Sequence, residues 1–268
     1  MDPSAAPAAR ILCLDIGNSH INLGCFREGA LETRMTLTTP AACTADEAAL
    51  QLGAFSAQLA GSDAAGSAPF GSAILSSVVP HLTQAWEEAA RRFCALRPLL
   101  VGPGLKTGLA MRYKNPAEVG SDRIADSVAA RSSYGSPCIV VDLGTTTNFC
   151  VVGEDGAFLG GIIAPGLRLS AHALAEGAAK LTSVDLHAPK SVIGRTTAEA
   201  LQSGAVLGEA ARIDGLLAKV EEELGYSAPV ILSGTDAAAI TPLLGHTVHV
   251  EPDLTLQGLY LIHQLNRG

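Results

Sequence analysis

Apolar residues come in three short bursts near the start of the chain, at 11–16, 20–26 and 31–37, and the bursts predict three β-strands. The first two are joined by the turn Asp-Ile-Gly-Asn-Ser from Asp15, and the next connection, "REGA", supplies Gly29 for a hairpin. An Ala/Leu-rich stretch over 44–60 predicts a helix, followed by the loop "GSDAAGSAPFGS". The apolar run "AILSSVV" predicts a buried strand that stops at Pro80, and a helix follows from about His81 to Ala95. "RPLLVGPGLKTG" reads as a strand entering a glycine-rich loop. The second half restarts in the same order, with strands at 138–142, 147–152 and 157–163. A helix over 167–180, an irregular segment to 193, a helix over 196–224, a strand at 229–233 and a terminal helix after "DLTLQG" complete it. Strand triplets followed by helix–strand alternation, twice over, predict two related α/β domains. The boundary is placed at 133/134, within "ARSSYGSPC": residues 1–133 form an N-terminal domain, with 1–10 a loose tail, and 134–268 a C-terminal one.

Composition narrows the function. Of 268 residues, 48% are hydrophobic and 16% charged, enough for two cores. A net charge of −8 argues against non-specific nucleic-acid binding, which needs clustered Lys and Arg. No window has the eighteen or so apolar residues of a membrane span, so no membrane partner is expected. The opening "MDPSAAPAAR" lacks the pattern of a secretory signal. The six cysteines show no pair or Cys/His spacing fit for zinc, and the simplest reading is a reduced, cytoplasmic protein. The seven histidines have no metal-ligand spacing, His246 and His249 are expected near a strand, and Trp86 is expected in the core.

The chemistry gathers around two aspartates. Asp15 and Asp142 each end an apolar run and stand before a glycine turn, Gly17-Asn18-Ser19 and Gly144-Thr145-Thr146-Thr147. A buried carboxylate needs a cation or a donor. The glycines let the backbone approach a ligand, turn N–H groups can cradle a phosphate, and the small polar residues add donors. One copy reads equally as an aspartate capping its own turn; two copies, one at the head of each half, suggest facing hairpins with a nucleotide between them. No P-loop occurs, and no Gly-x-Gly-x-x-Gly opens a helix after a strand. A third stretch, "YKNPAEVGSDRIADSVAA" from Tyr113, places Asp122 and Arg123 at the start of a predicted helix. There the helix dipole favours an ionised carboxylate. Such a group can accept a hydroxyl proton during attack on phosphorus, while the guanidinium holds an anionic substrate group. The plainer alternative is a capped helix beside a solvated Arg123.

With these residues the chain resembles the type III pantothenate kinases, within the actin/sugar-kinase/Hsp70 ATPase superfamily. The resemblance runs from Ile11 to about Ile262 through "DIGNS", "SSVVP", "GPGLKTG", "YKNPAEVGSDR", "VVDLGTTT", "GGIIAPG" and "GRTTAEALQSG". It implies two actin-like (ribonuclease H-like) domains with a nucleotide cleft between them, and ATP-dependent phosphorylation of pantothenate to 4'-phosphopantothenate, the first step towards coenzyme A. By motif, the resemblance makes Asp122 the catalytic base, and Asp15, Gly17, Asn18, Ser19, Asn22 and Thr145 ATP contacts. It makes Tyr113, Gly120, Ser121, Asp122, Arg123 and Thr197 pantothenate contacts, with Thr197 supplied by a partner subunit in a homodimer. It assigns Asp142 to a monovalent cation, K+ or NH4+, and Asp15 to Mg2+.

The chain departs from the family pattern in several places. Ser19 and Asn148 stand where threonine is usual, and Cys150 where aspartate is common. "ILSGTDA" carries Thr235 where the family has a second glycine, and a β-branched residue that disfavours positive φ and adds bulk is expected to raise the KM for ATP. Two other readings stay open: another small-molecule kinase of the superfamily, and a catalytically weak relative acting as a ligand-binding regulator.

Overall fold

The computed structural model describes residues 9–59, 68–177 and 186–267. The expectations for the tail before residue 9, the loop at 60–67 and the segment 178–185 lie outside the described residues. In chain order, the first half contains β1 (Ile11–Ile16), β2 (His20–Arg27), β3 (Ala30–Thr38), α1 (Ala45–Ala57), β4 (Ser72–Ser77), α2 (Pro80–Phe93), β5 (Leu99–Leu100) and α3 (Ser121–Tyr134). The second contains β6 (Cys138–Leu143), β7 (Thr146–Val152), β8 (Phe158–Pro165), α4 (Leu167–Gly177), α5 (Thr197–Leu224), β9 (Val230–Ser233), α6 (Ala237–Ile240), β10 (Val248–Val250) and α7 (Leu254–Arg267). Among the described residues no helix is long and apolar enough to cross a membrane.

The chain separates into two compact units. The first comprises 1–108, 115–129 and 255–268; the second comprises 109–114 and 130–254. The terminal helix thus groups with the first unit, and α3 runs on through 133/134 to Tyr134.

Each unit is built on a five-stranded mixed sheet. The first has the order β3-β2-β1-β4-β5 and the second β10-β9-β6-β7-β8. Read from opposite ends these are one topology: an antiparallel triplet whose first strand pairs in parallel with the next strand in the chain, reached through α1 in the first unit and through α4 and α5 in the second. The repeated hydrophobic pattern therefore corresponds to a repeated fold.

The strand pleat sorts the side chains of the first unit. Leu12, Leu14, Ile16, Ile21, Leu23, Ala73 and Leu75 join α1 and α2 residues, including Phe55 and Trp86, in one core. α1 is started by a capping box, in which Thr44 N–H donates to Glu47 at 2.8 Å and Glu47 N–H donates back to the Thr44 hydroxyl at 3.2 Å. Pro80 sits in the first turn of α2, where a missing N–H costs nothing. Alternate positions face the other way, onto α7 and α3. Phe26 stacks on Tyr260 at 4.8 Å, Ser72 bonds His263, and Ser76 bonds Ser121. The alternation that buries Leu14 and Ile16 against α1 and α2 puts Asp15 on this second face.

His263 carries a consequence for stability. Its ring is 4% exposed, Nε2 lies 2.6 Å from the Ser72 hydroxyl, and Nδ1 has no partner among the described residues. Burial, reinforced by the Arg267 charge, lowers its pKa from 6.5 to about 4. Between those values the unfolded chain binds a proton that the folded chain refuses, so stability falls as pH falls from 6.5 to 4. The loss reaches roughly 3 kcal/mol. Urea unfolding at pH 7.5 and pH 5 checks this: His263→Gln should flatten the pH dependence, and an identical slope in both proteins would remove His263 as its cause.

Candidate active site

The first unit assembles its polar residues at the carboxyl ends of two parallel strands. Asp15 on β1 faces Asn22 across the hairpin and Ser76 across the parallel pair. Asp15 is 8% exposed, and Asn22 Nδ2 approaches its Oδ2 at 3.5 Å while Asn22 Oδ1 accepts from the Thr36 hydroxyl at 3.0 Å. The turn after Asp15 closes through Gly17 N–H to the His20 carbonyl at 2.9 Å. A Cβ at Gly17 would press on that carbonyl at 3.0 Å, so a side chain there would have to shift the turn by a few tenths of an ångström. Thr39 braces the turn from outside, its hydroxyl donating to the Gly17 carbonyl at 2.6 Å and its N–H to that of Ser19 at 3.0 Å. Asn18 is exposed at the tip, and Ser19 and Asn22 are half-buried.

α3 begins beside this cluster. The Ser121 hydroxyl hydrogen-bonds the Ser76 hydroxyl at 2.9 Å and accepts the Ser77 N–H at 3.0 Å. These bonds pin the first turn of α3 to the strand next to Asp15. Asp122 follows, half-buried, and its Oδ1 accepts the Arg123 N–H at 2.8 Å. Burial pushes the Asp122 carboxyl above the usual carboxylate range, against the opposing pull of the Arg123 N–H and guanidinium. A Cβ at Gly120 would fall on Asp122 Oδ1, so a side chain there would force the Asp122 carboxylate to turn. Arg123 is 7% exposed.

The second unit repeats the arrangement. Asp142 on β6 faces Asn148 on β7 and Ser233 on β9, as Asp15 faces Asn22 and Ser76. The Gly144 N–H closes the turn onto the Thr146 carbonyl at 3.1 Å. Two further loops meet this turn. Gly166 N–H donates to the Thr145 carbonyl at 3.1 Å, and Asp236 N–H donates to that of Leu143 at 3.2 Å. Both approaches need a missing Cβ: one at Gly166 would meet the Gly144 and Thr145 carbonyls, and one at Gly234 the Leu143 backbone. Gly234 takes φ 91°, whereas Glu28 is the one described non-glycine residue with positive φ. Thr235 therefore meets no left-handed backbone requirement, and the strain expected of it is absent; it is exposed on the turn.

One other expectation reads differently in the structure. The pleat turns Thr147 away from Asp142 and onto the α5 side, where it is fully buried and its hydroxyl serves Glu209 rather than a ligand. The Ser121 hydroxyl bonds the Ser76 hydroxyl and the Ser77 N–H of β4. Tyr113 groups with the second unit and Gly120–Arg123 with the first. Tyr113 packs on Phe158 at 6.0 Å and beside Gly160, while Thr197 stands exposed at the start of α5. Sequence reasoning gave no role to Ser76, Ser233, Asp236 or Glu209. Glu209 had a signal, because it falls between Val206 and Ile213 on the apolar stripe of α5.

Among the described residues no cluster of three or more His, Cys, Asp or Glu side chains could hold a metal. Asp15 and Asp142 are single carboxylates. A lone carboxylate such as Asp15 fits Mg2+, which takes most of its ligands from phosphate and water, and does not form an all-protein cage. A cavity of about 340 Å3 in the first unit, between Leu37, Cys43 and Trp86, is lined by none of these residues.

Comparison with known proteins gives the family and the fold. The family model for type III pantothenate kinases matches residues 11–219. A type III pantothenate kinase from Thermomicrobium roseum is 44% identical over 252 residues, 93% of this chain and 95% of that protein. Among solved structures, component A of the (R)-2-hydroxyglutaryl-CoA dehydratase from Acidaminococcus fermentans superposes with a TM-score of 0.57 at 13% identity, covering 97% of this chain and all of that one. The activator of the 2-hydroxyisocaproyl-CoA dehydratase from Clostridium difficile, solved with bound ADPNP, gives 0.54 at 10% identity, covering 96% of each chain. These distant likenesses carry the fold alone. The family model and the close relative decide the rest: the chain belongs to the type III pantothenate kinase family.

Proposed function

We propose that this pantothenate kinase uses Asp122 as the base for transfer of the ATP γ-phosphoryl group to the primary hydroxyl of pantothenate. The hydroxyl oxygen forms a bond to the γ-phosphorus as the bond to the β,γ-bridging oxygen breaks. The hydroxyl proton passes to the Asp122 carboxylate, and the products are 4'-phosphopantothenate and ADP. The observation that carries the assignment is the half-buried Asp122 carboxyl, raised above its ordinary range on a helix start bolted to the strand beside Asp15. A raised carboxylate is a better-matched base near neutral pH than an exposed one.

The other roles follow the motifs. The Asp15–Asn22 hairpin, through Gly17, Asn18, Ser19 and Asn22, receives ATP phosphates, and Thr145 is a further ATP contact. Asp15 would hold Mg2+, which supplies charge neutralisation at the phosphates. Asp142 would hold K+ or NH4+. Tyr113, Gly120, Ser121 and Arg123 bind pantothenate, whose carboxylate suits the guanidinium. Thr197 serves the partner's substrate in a homodimer working in the cytoplasm. The exposed apolar residues Ile163, Leu169, Leu174, Val192 and Ile193 of the second unit support a second copy as their cover.

A coupled assay with pantothenate, ATP, Mg2+ and K+ tests this reading. Replacing K+ by Na+ should lower activity roughly tenfold, the effect of about 1.4 kcal/mol of lost transition-state stabilisation. Indifference to the swap would count against Asp142 as a cation ligand, and no turnover by a folded protein would favour the regulator reading.

A further inference from the structure

We propose that Glu209 and Arg212 on α5 are positioning residues for the second phosphate-binding turn, acting through Thr147 and Pro165; the inference rests on the kinase reading above. The Thr147 hydroxyl donates to Glu209 Oε1 at 2.5 Å. The other carboxylate oxygen of Glu209 accepts from Arg212 Nη2, and the same Nη2 donates to the Pro165 carbonyl at 2.5 Å. Thr147 is the first residue of β7 paired back to β6 after the Gly144–Thr146 turn. Pro165 ends β8 and precedes Gly166, whose N–H holds the Thr145 carbonyl at 3.1 Å. One ion pair, buried at Glu209 and half-buried at Arg212, thus clamps the Gly144–Thr145 turn by two routes, one through β7 and one through the Pro165–Gly166 loop.

The internal repeat supplies a control. At the place of Thr147 the first unit has Ile21, fully buried and apolar, paired with Ile16 as Thr147 is paired with Leu143. The fold is therefore completed there without a charge. Glu209 is 4% exposed, and burying an ion pair costs desolvation that well-packed apolar residues avoid. What the pair adds is direction: hydrogen bonds of fixed length on the two strands that aim the turn. Phosphoryl transfer depends on positioning, so a turn displaced by a fraction of an ångström should be felt at the nucleotide.

Thr147→Val keeps the volume and removes the hydroxyl. In the full-length protein it should raise the KM for ATP about five- to tenfold, with the pantothenate KM within about twofold of wild type. Equilibrium binding of MgATP should weaken by the same factor. Glu209→Gln keeps the shape, its amide nitrogen donating to Thr147 and its oxygen accepting from Arg212, and should hold ATP affinity within about twofold of wild type. Arg212→Met, which releases Pro165 but keeps the side-chain stem, should move the ATP KM in the same direction as Thr147→Val. ATP affinity unchanged in folded Thr147→Val overturns the proposal. So does an equal rise in both KM values, or failure of both Thr147→Val and Arg212→Met to fold, which would make the pair a structural element only. A wild-type protein that binds MgATP but does not phosphorylate pantothenate would sink the kinase reading and leave this one measurable by MgATP binding.

Discussion

Asp122→Asn should lower kcat by roughly 10²- to 10⁴-fold without lowering the melting temperature. The change is nearly isosteric, and an asparagine oxygen can still accept the Arg123 N–H that Asp122 accepts at 2.8 Å. What disappears is the basic site. The effect on stability runs the other way from the effect on rate. Burial raises the Asp122 carboxyl above its unfolded value, so the folded chain holds that proton more tightly than the unfolded chain does. Ionising Asp122 as pH rises therefore costs the folded state, and the neutral amide removes that cost at neutral pH. A protein that loses turnover while keeping or gaining thermal stability is the signature of a strained functional group. The same shift sets the pH profile: kcat/KM should fall on acidification through a pKa above the ordinary carboxylate range. An unchanged kcat in Asp122→Asn, or an acid limb at or below that range, would remove Asp122 as the base.

Gly258→Ala should have the largest effect on stability. Gly258 lies in α7, where a Cβ would fall on the Ala125 carbonyl and within 2.9 Å of the Ala125 Cα. The obstacle is the α3 backbone, which has no rotamer with which to yield. Helix propensity alone favours alanine by about 1 kcal/mol, so propensity and packing predict opposite signs. Packing should win, with a loss of about 3 kcal/mol and a melting temperature lower by roughly 6–12 °C. Because α3 carries Asp122 three residues from Ala125, kcat should fall as well. Gly215→Ala is the matched control: a Cβ on that glycine of α5 would meet nothing within 4 Å, and the change should stabilise by about 1 kcal/mol. Thermal unfolding of the two variants decides the matter, and a Gly258→Ala protein as stable as the control would show that α3 and α7 can separate without penalty.

These two predictions depend on different kinds of information. The Asp122 proposal could be read from the chain, because a breaker, a glycine and an acid-basic pair stand before an apolar helix. Gly258 could not, since nothing local marks it as the place where two backbones touch. The same divide runs through the site. Asp15, Gly17, Asp142 and Gly144 stood out by repeating one pattern in both halves. Thr147 was grouped with the ligand donors because it adjoins Thr145 and Thr146, yet the pleat carries it to the opposite face of the sheet. Thr235, expected to strain a left-handed position, finds that position already filled by Gly234. The two-residue β5 falls within the stretch "RPLLVG" that reads as a strand, whereas β10 around His249, expected only near a strand, is too short for periodicity to place.

The order of apolar and polar residues determined the strands, the long helices, the duplicated architecture and the two acid-tipped turns, because each of these follows from spacings of a few residues. Tertiary structure alone decided which face of each strand meets which helix, that the last helix returns to the first unit, and where Glu209 and Arg212 take hold of the second turn. Those outcomes depend on contacts between residues tens to hundreds of positions apart, whose free energy comes from packing and desolvation that no local pattern records.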